Sequence, residues 1–409
     1  MKKRLLLIGG NFTPEQTGIG KYNGEMINWF SNRGYDCTVI TTSPYYPQWK
    51  VQQPYSNKWY KKEVIKGNSS DITVYRCPQY VPGQPSGLKR LIQEVSFNLS
   101  SLLSVLRILA KKKFDYVVTV VPPFYLGLHA VLYRKLRGAK FLYHVQDLQI
   151  DAAKELNMIQ SEGLINTLFN VEKYILKNAD VVSAVSTGMI RKMKEKTMKD
   201  VVFSPNWVDL KNFYPLTGKG KLKHQFGFAE DDKIILYSGA IGEKQGLEMI
   251  LTSASKLKAH KNLKFVICGT GPYKDILEAT AIQERLDNIC FFPLQHLDGF
   301  NAFLNMADVH LVIQKKGASD LVMPSKLNNI LAVGGLVLVT ANPGSSLYQV
   351  VDENNIGILV EPENEVEFTK ALIRICSMEH SEIKQNARKY VEDHLSMDEV
   401  LSRFIKHFN

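Results

Sequence analysis

Short runs that are almost wholly apolar and rich in β-branched residues recur along the chain, each followed by a stretch of helical period. RLLLIGG, CTVITTS, ITVYRCP, YVVTVVPP, KFLYHVQD, DVVSAVS and VVFSPN form a first series. The pattern restarts with KIILYSG, KFVICGT, ICFFPL, VHLVIQ, GLVLVTA and IGILVEP. A strand with no polar face must be covered on both sides, which is the condition of a parallel sheet between helices. Two such series predict an α/β chain of two doubly wound domains. The length of 409 residues agrees with two to three domains. Residues 211–223, rich in Lys, Gly and Pro and without periodicity, read as the linker and hinge. A last helix is expected over about 382–408.

The formal net charge of +11 points to partners that carry phosphate or lie on an anionic surface. Nucleic acid is disfavoured, because the Lys and Arg are dispersed and no nucleic-acid-binding motif accompanies them. The five cysteines are scattered without a Cys-x-x-Cys, which argues against a disulfide framework or a zinc knuckle and for a reducing compartment. The histidines show no metal-ligand spacing, and no Asp-x-Asp suggests a metal clamped on a diphosphate. Lys2, Lys3 and Arg4 precede too short an apolar run for a signal-peptide core. No apolar run reaches the roughly 18 residues of a membrane span. A cytoplasmic location is expected.

One helix stands apart. From Leu88, apolar residues fall at 91, 92, 95, 99, 102, 103, 106 and 109, a stripe of helical period closed by Lys111-Lys112-Lys113. The preferred reading is a core helix whose terminal cations suit its dipole. The alternative is an apolar and basic surface for a membrane or a lipid substrate.

The first strand ends in Gly9-Gly10, and Gly18-Ile19-Gly20 opens a helix several residues later. A dinucleotide fingerprint needs a short Gly-x-Gly-x-x-Gly turn and an acid closing the second strand. Here Gly24 makes the spacing Gly-x-Gly-x-x-x-Gly, and the second strand closes with Thr41-Thr42-Ser43. The loop is unsuited to NAD but can approach an anion with backbone N–H groups. A plain strand–helix connection is the other reading. In the second series, SGAIGEKQGLE sets Lys244 near a helix N-terminus, where a cation and amides can face a diphosphate. CGTGP puts Gly269 and Gly271 after a strand, and PSKLNNILAVGG opens a helix with Ser325 as a candidate N-cap. Lys326 opposes that helix's dipole, which hints at an anionic ligand. His144, Gln146, Asp147 and Asp151 close a strand of the first series, where polar groups are expected near ligands. His144 as a core histidine and Asp147 as a helix N-cap stand beside that reading.

Taken in order, TPEQTGIGKY, PYYPQW, VQDLQIDAA, SPNWVD, SGAIGEKQGLE, CGTGP and PSKLNNILAVGG resemble the motifs of the retaining GT-B glycosyltransferases of family four. Nearly the whole chain is covered. The nearest branch is that of the bacterial colanic acid and O-antigen fucosyl- and N-acetylfucosaminyltransferases. The resemblance implies two Rossmann-like domains facing across a cleft. Their expected bounds are 1–207, completed by a helix over about 385–409, and 208–384, which would bind the nucleotide sugar. It also implies sugar transfer from a nucleoside diphosphate donor with retention, no metal or other cofactor, and an undecaprenyl-diphosphate-linked saccharide acceptor met by peripheral contact with the inner membrane face.

Carried over residue by residue, Gly18 and Gly20 match the family's glycine loop near the donor diphosphate and acceptor, Lys244 its diphosphate lysine, Asn206 and Asp209 the motif at the domain junction, and Gly269 and Gly271 the strand-end glycines near the nucleotide; Gly18, Gly20, Asn206, Gly269 and Gly271 are all expected to bind the donor. Gly239, Ser325 and Asn329 are expected beside the donor, Glu15 and His144 on the acceptor side. Asp147, Lys244 and Lys326 are the expected catalytic groups, Asp147 toward the acceptor and the lysines on the departing diphosphate. The chain departs from the family where an Arg is common five residues before the lysine; the Gly239-Ala240 pair stands there, and Lys326 is the candidate substitute. The family's Glu-x7-Glu aligns to Leu321 and Asn329, with Asp320 a stand-in for the first acid, and its His aligns to Gln146. Rival readings are a GT-B nucleotide-sugar epimerase or phosphorylase, and a non-catalytic phosphate-binding partner at the membrane.

Overall fold

The computed structural model describes residues 2–15, 18–155, 158–318 and 324–408, with only the backbone at Lys244 and Ala318. Asp320 and Leu321 therefore lie outside the described residues. The chain divides into two compact units, Met1–Pro205 with Leu401–Asn409, and Asn206–Val400.

The first unit runs β1 (Arg4–Ile8), α1 (Gly18–Asn32), β2 (Asp36–Thr42), β3 (Lys61–Ile65), β4 (Ile72–Cys77), α2 (Gly87–Leu109), β5 (Tyr116–Val121), α3 (Leu126–Arg137), β6 (Lys140–Val145), α4 (Gln149–Glu155), α5 (Glu162–Asn178), β7 (Val181–Ala184), α6 (Thr187–Lys194) and β8 (Val201–Phe203). Its sheet has the order β3-β4-β2-β1-β5-β6-β7-β8. All pairings are parallel except that of β3 with β4. Leu5, Leu6, Leu7 and Ile8 are wholly buried, as a central parallel strand requires. β3 had no apolar signal: KKEVI is an edge strand with exposed lysines, the kind of charge that keeps an edge from pairing with another chain.

The second unit runs α7 (Lys219–Gln225), β9 (Lys233–Ser238), α8 (Glu248–Lys256), β10 (Leu263–Cys268), α9 (Lys274–Gln283), β11 (Ile289–Phe292), α10 (Leu297–Asn305), β12 (Val309–Val312), α11 (Lys326–Ala332), β13 (Val337–Thr340), α12 (Ser346–Glu353), β14 (Ile358–Val360), α13 (Glu365–Ser377) and α14 (Ser381–His394); α15 (Met397–Lys406) begins in it and from Leu401 belongs to the first. The second unit's sheet, β11-β10-β9-β12-β13-β14, is parallel throughout. Apolar clusters fill both of its faces, one around Leu236, Val266 and Val339, the other around Ile235, Phe265 and Leu338.

Two expectations change. The segment 211–223 is not a free linker, because Lys219 begins α7 and Lys223 is buried with its ammonium 3.0 Å from Asp308. The terminal helix is two helices. The break at Leu395-Ser396 holds a short parallel bridge to Val208, whose N–H donates to Leu395 O while Met397 N–H donates to Val208 O. Beyond it, Phe404 and Phe408 belong to the first unit, Phe408 packing on Phe30 and Tyr116 at 5.3 and 4.7 Å between ring centroids.

The preferred reading of the striped helix is overturned. α2 turns Phe97, Ser101, Ser104 and Ile108 inward and leaves its leucine stripe in solvent, Leu88 at 70% and Leu99 at 61% exposure. No helix among the described residues is long and apolar enough to cross a membrane.

Candidate functional site

In the first unit the loop after β1 is held from beneath. Thr42 Oγ1 donates to Gly10 O at 2.7 Å, and Asn23 Nδ2 donates to Asn11 O at 2.9 Å. Glu15 is the organising group. Its Oε1 accepts the N–H groups of Tyr45 and Tyr46, each at 2.9 Å, and its Oε2 accepts Asn11 Nδ2 at 2.9 Å. Burial raises its pKa, and those three donors oppose the rise. Gly20 lies directly over it: an added Cβ would stand 2.6 Å from Glu15 Oε2. Gly18 takes φ +59° beside the Tyr46 ring. The two glycines thus let α1 begin close against the carboxylate and the Tyr45-Tyr46 turn.

Asp147 is half-buried just past the end of β6, and its charge reaches Tyr46. Burial pushes the Tyr46 phenol pKa up, with Arg90 opposing. Gly18, Gly20, Glu15 and Asp147 are therefore brought to one carboxyl edge of the first sheet, where parallel α/β sheets bind ligands. His144, one residue before the end of β6, turns its ring into the interior instead. It is buried, its Nδ1 2.9 Å from Ser183 Oγ and its ring 5.9 Å from that of Phe404. Burial lowers its pKa to about 4, so the ring is neutral at pH 7 and acts as packing.

Several groups at this edge went unread in the sequence. Tyr46 lines the glycine loop. Arg90 lies 4.9 Å over the Trp49 ring, and Gln149 Nε2 donates to Glu94 Oε1 at 2.9 Å. PYYPQW and VQDLQIDAA, which contain Tyr46, Trp49 and Gln149, match family motifs, but the sequence gives these residues no roles, and Arg90 and Glu94 carry no signal beyond their place on the striped helix.

In the second unit the loops after β9 and β10 close on each other. Gly239 N–H donates to Cys268 O, and Ile241 N–H to Thr270 O, both at 2.9 Å. A Cβ on Gly269 would fall inside the contact shell of Gly239 O, and one on Gly271 inside that of Ile241 O; both glycines keep positive φ, +146° and +157°. Lys244 lies in a 3-10 turn, Glu243–Gln245, ahead of α8 rather than in its first turn.

Lys326 opens α11 and folds back to this loop pair. Its Nζ stands 3.6 Å from the centroid of the Tyr237 ring. An added Cβ on Gly239 would lie 2.7 Å from that Nζ, so the missing side chain at 239 is the space the lysine occupies. Among the described residues no carboxylate pairs with it, and burial pulls its pKa down to about 7. Ser325 holds the N-cap position but makes no side-chain cap bond, which corrects its reading as a cap. Asn328 Nδ2 donates to Asn206 O at 2.7 Å, drawing Asn206 to α11. Asn206 Oδ1 is buried and has no hydrogen-bond partner among the described residues. Asn329 is half-buried on the next position of α11. The second unit thus gathers Gly239, Gly269, Gly271, Asn206 and Lys326 at the carboxyl edge of its own sheet. Among the described residues no three His, Cys, Asp or Glu converge as metal ligands.

Two parallel α/β units, each with glycine loops and polar groups at the carboxyl edge of its sheet, are the build of a GT-B glycosyltransferase. The family models agree: residues 17–207 match the glycosyl transferase 4-like domain and residues 218–392 match glycosyl transferases group 1. The chain belongs to this family and is a glycosyltransferase. It is 41% identical over 98% of both chains to WcaI of Escherichia coli (strain K12), whose name assigns it to colanic acid biosynthesis. Among solved structures it is similar to the sucrose-phosphate synthase of Thermosynechococcus elongatus, with a TM-score of 0.78 at 17% identity over 99% of this chain and 98% of that one. It is also similar to Anabaena HepE in complex with UDP, with a TM-score of 0.70 at 12% identity over 99% of both chains.

Proposed function

We propose that this glycosyltransferase moves a deoxysugar, L-fucose or N-acetyl-L-fucosamine, from a nucleoside diphosphate to an undecaprenyl-diphosphate-linked saccharide, in the assembly of a bacterial surface polysaccharide of the colanic acid type. The likeness to WcaI supports the pathway. Transfer proceeds with retention, at the inner face of the membrane, by a chain that is peripheral to it.

The observation that carries the reading is the packing of Lys326 on Gly239. The family resemblance implies an arginine at this point of the β9 loop. Here that loop carries Gly239, and the cation arrives from α11 into the vacated space. A partly buried ammonium with no acid beside it among the described residues is costly to hold. It becomes favourable when a diphosphate occupies the site. Lys326, Lys244 and the loop amides then carry the charge that develops on the departing diphosphate. Asn206 and Asn329 face the nucleotide part of the donor. In the first unit Asp147 orients the acceptor, and Glu15 holds the glycine loop and the Tyr45-Tyr46 turn in shape. No protein base dominates; a phosphate oxygen of the donor takes the acceptor's proton on the same face.

The test is a thermal-shift panel of nucleoside diphosphates and their sugars with and without EDTA, followed by transfer assays. One diphosphate should raise the melting temperature in a way that survives EDTA. Lys326→Gln and Lys244→Ala should each lower turnover by about 10²-fold or more, the scale of a lost charge-stabilising donor. Intact turnover in both variants, or no shift with any nucleotide, overturns the reading.

A further inference from the structure

We infer that the outer face of α2 is a membrane-docking surface that beds in an anionic lipid leaflet. α2 is built inside out. Its inward face is Gln93, Phe97, Ser100, Ser101, Ser104, Val105 and Ile108, all buried, four of the seven polar. Its outward face carries Leu88, Leu91, Ile92 and Val95 in the first half, 47–70% exposed, and Leu99, Leu103 and Leu106 in the second, 46–61% exposed. At 100° per residue these seven fall within an arc of roughly 120° and run along about 27 Å of helix. Scattered apolar residues on a surface need no explanation; a continuous ridge of this kind marks an interaction site.

A second element extends the ridge. Tyr60 Oη donates to Ser100 O at 3.1 Å, and Arg107 lies 4.8 Å over the Tyr60 ring, which fixes the 58–62 segment beside α2. Trp59 in that segment is 81% exposed. An indole with an apolar body and a polar N–H, left in solvent beside a leucine ridge, suits the headgroup level of a bilayer.

The rim decides the occupant. Lys58, Lys61, Lys62, Lys89 and Arg107 are exposed around the ridge, and Lys111-Lys112-Lys113 follows its C-terminal end. The one acid of β3, Glu63, is taken up by Arg76 at 2.7 Å. Two copies meeting through this face would set these cations against each other. An anionic leaflet attracts them, and their alkyl stems reach the headgroups while the leucines enter the acyl boundary. The inward side of the first turns of α2 reaches the acceptor edge through Arg90 on Trp49 and Glu94 on Gln149. The docking face and the acceptor edge are thus two sides of one helix. In that last respect the inference rests on the lipid-linked acceptor proposed above.

The experiment is co-sedimentation of the full chain, without substrates, with phosphatidylcholine vesicles that contain or lack phosphatidylglycerol. The chain should pellet with the anionic vesicles and less with the neutral ones, and high salt should release part of it. Leu99→Glu with Leu103→Glu should weaken binding at least about tenfold, since each change removes a membrane-facing apolar side chain and adds a charge. Both sites are exposed, so the melting temperature should hold. Transfer to a water-soluble acceptor should be unchanged, and transfer to a vesicle-borne acceptor reduced. A wild-type chain that stays in the supernatant with anionic vesicles overturns the inference, as does equal pelleting of the double variant. A stable dimer that the double variant converts to monomer overturns it too. Vesicle binding by a chain that binds no nucleotide leaves the inference standing and removes the proposed function instead.

Discussion

At the scale of single residues, Lys326 makes the sharpest demand on solution behaviour. Its folded pKa of about 7 lies below the ordinary lysine value of 10.5, and the cause is burial. Between those values the unfolded chain binds the extra proton, so this group's contribution to stability rises with pH through that window, and the desolvation cost is fully present below pH 7. A bound diphosphate raises the pKa again. Binding near pH 8 should therefore take up close to one proton per site, read by calorimetry in buffers of different ionisation enthalpy. Nucleotide affinity should fall by up to about tenfold per pH unit above 7, the limit for one linked proton. In Lys326→Gln both the uptake and the slope should vanish while the melting temperature does not fall. Proton-neutral binding by the native chain would remove Lys326 from the diphosphate. The sequence signal was the lysine's unfavourable place at a helix start. The family resemblance already offered Lys326 for the charge missing at Gly239; its contact with the Tyr237 ring and its fit into the space beside Gly239 were not legible, because they depend on how α11 packs against β9.

At the scale of elements, the glycines after β9 and β10 were legible as a pattern and not as a cause. They read as strand-end glycines on the nucleotide side of the family's pattern. The structure shows that Gly269 and Gly271 are first demanded by the neighbouring loop, whose carbonyls stand where a Cβ would be. Gly269→Ala adds a side chain at positive φ and overpacks it. Strain and overpacking at about 1–3 kcal/mol each predict a loss of roughly 2–6 kcal/mol. The urea midpoint should fall accordingly, and nucleotide affinity with it, because the carbonyl of Gly239 must move. A variant of native stability would show that the loops are not closed on each other in solution. α2 teaches the complementary lesson. Its period was plain and its element was found, but a hydrophobic stripe states only that a helix has an apolar face. The inward-facing serines, small enough to let α2 sit close on the sheet and on α3, were the discriminating signal. β3 was missed for the opposite reason: an edge strand stripped of apolar residues leaves no run to find.

At the scale of the molecule, the candidate groups divide between the units. Gly18, Gly20, Glu15 and Asp147 lie in Met1–Pro205, and the donor-side groups from Asn206 to Asn329 lie in Asn206–Val400. The restart of the strand pattern announced this division. The family resemblance led to a return over about 385–409, whereas only Leu401–Asn409 join the first unit and α14 stays with the second, since a long amphipathic pattern does not show where it crosses. The second unit has its own covered sheet and apolar clusters on both faces. Residues 206–400 alone should therefore unfold cooperatively in urea and bind the nucleoside diphosphate that the full chain prefers, within about tenfold in affinity, while transferring no sugar. The first unit lacks that independence, because Phe404 and Phe408, 3% and 2% exposed, complete its interior against His144, Phe30 and Tyr116. Phe408→Ala in the full chain should cost about 3–5 kcal/mol, the range for truncating a buried phenylalanine. That loss should appear in the melting of the first unit while the nucleotide-stabilised transition of the second stays in place. If both transitions fall together, the two units unfold as one, and the donor side is not the separable body that its packing describes.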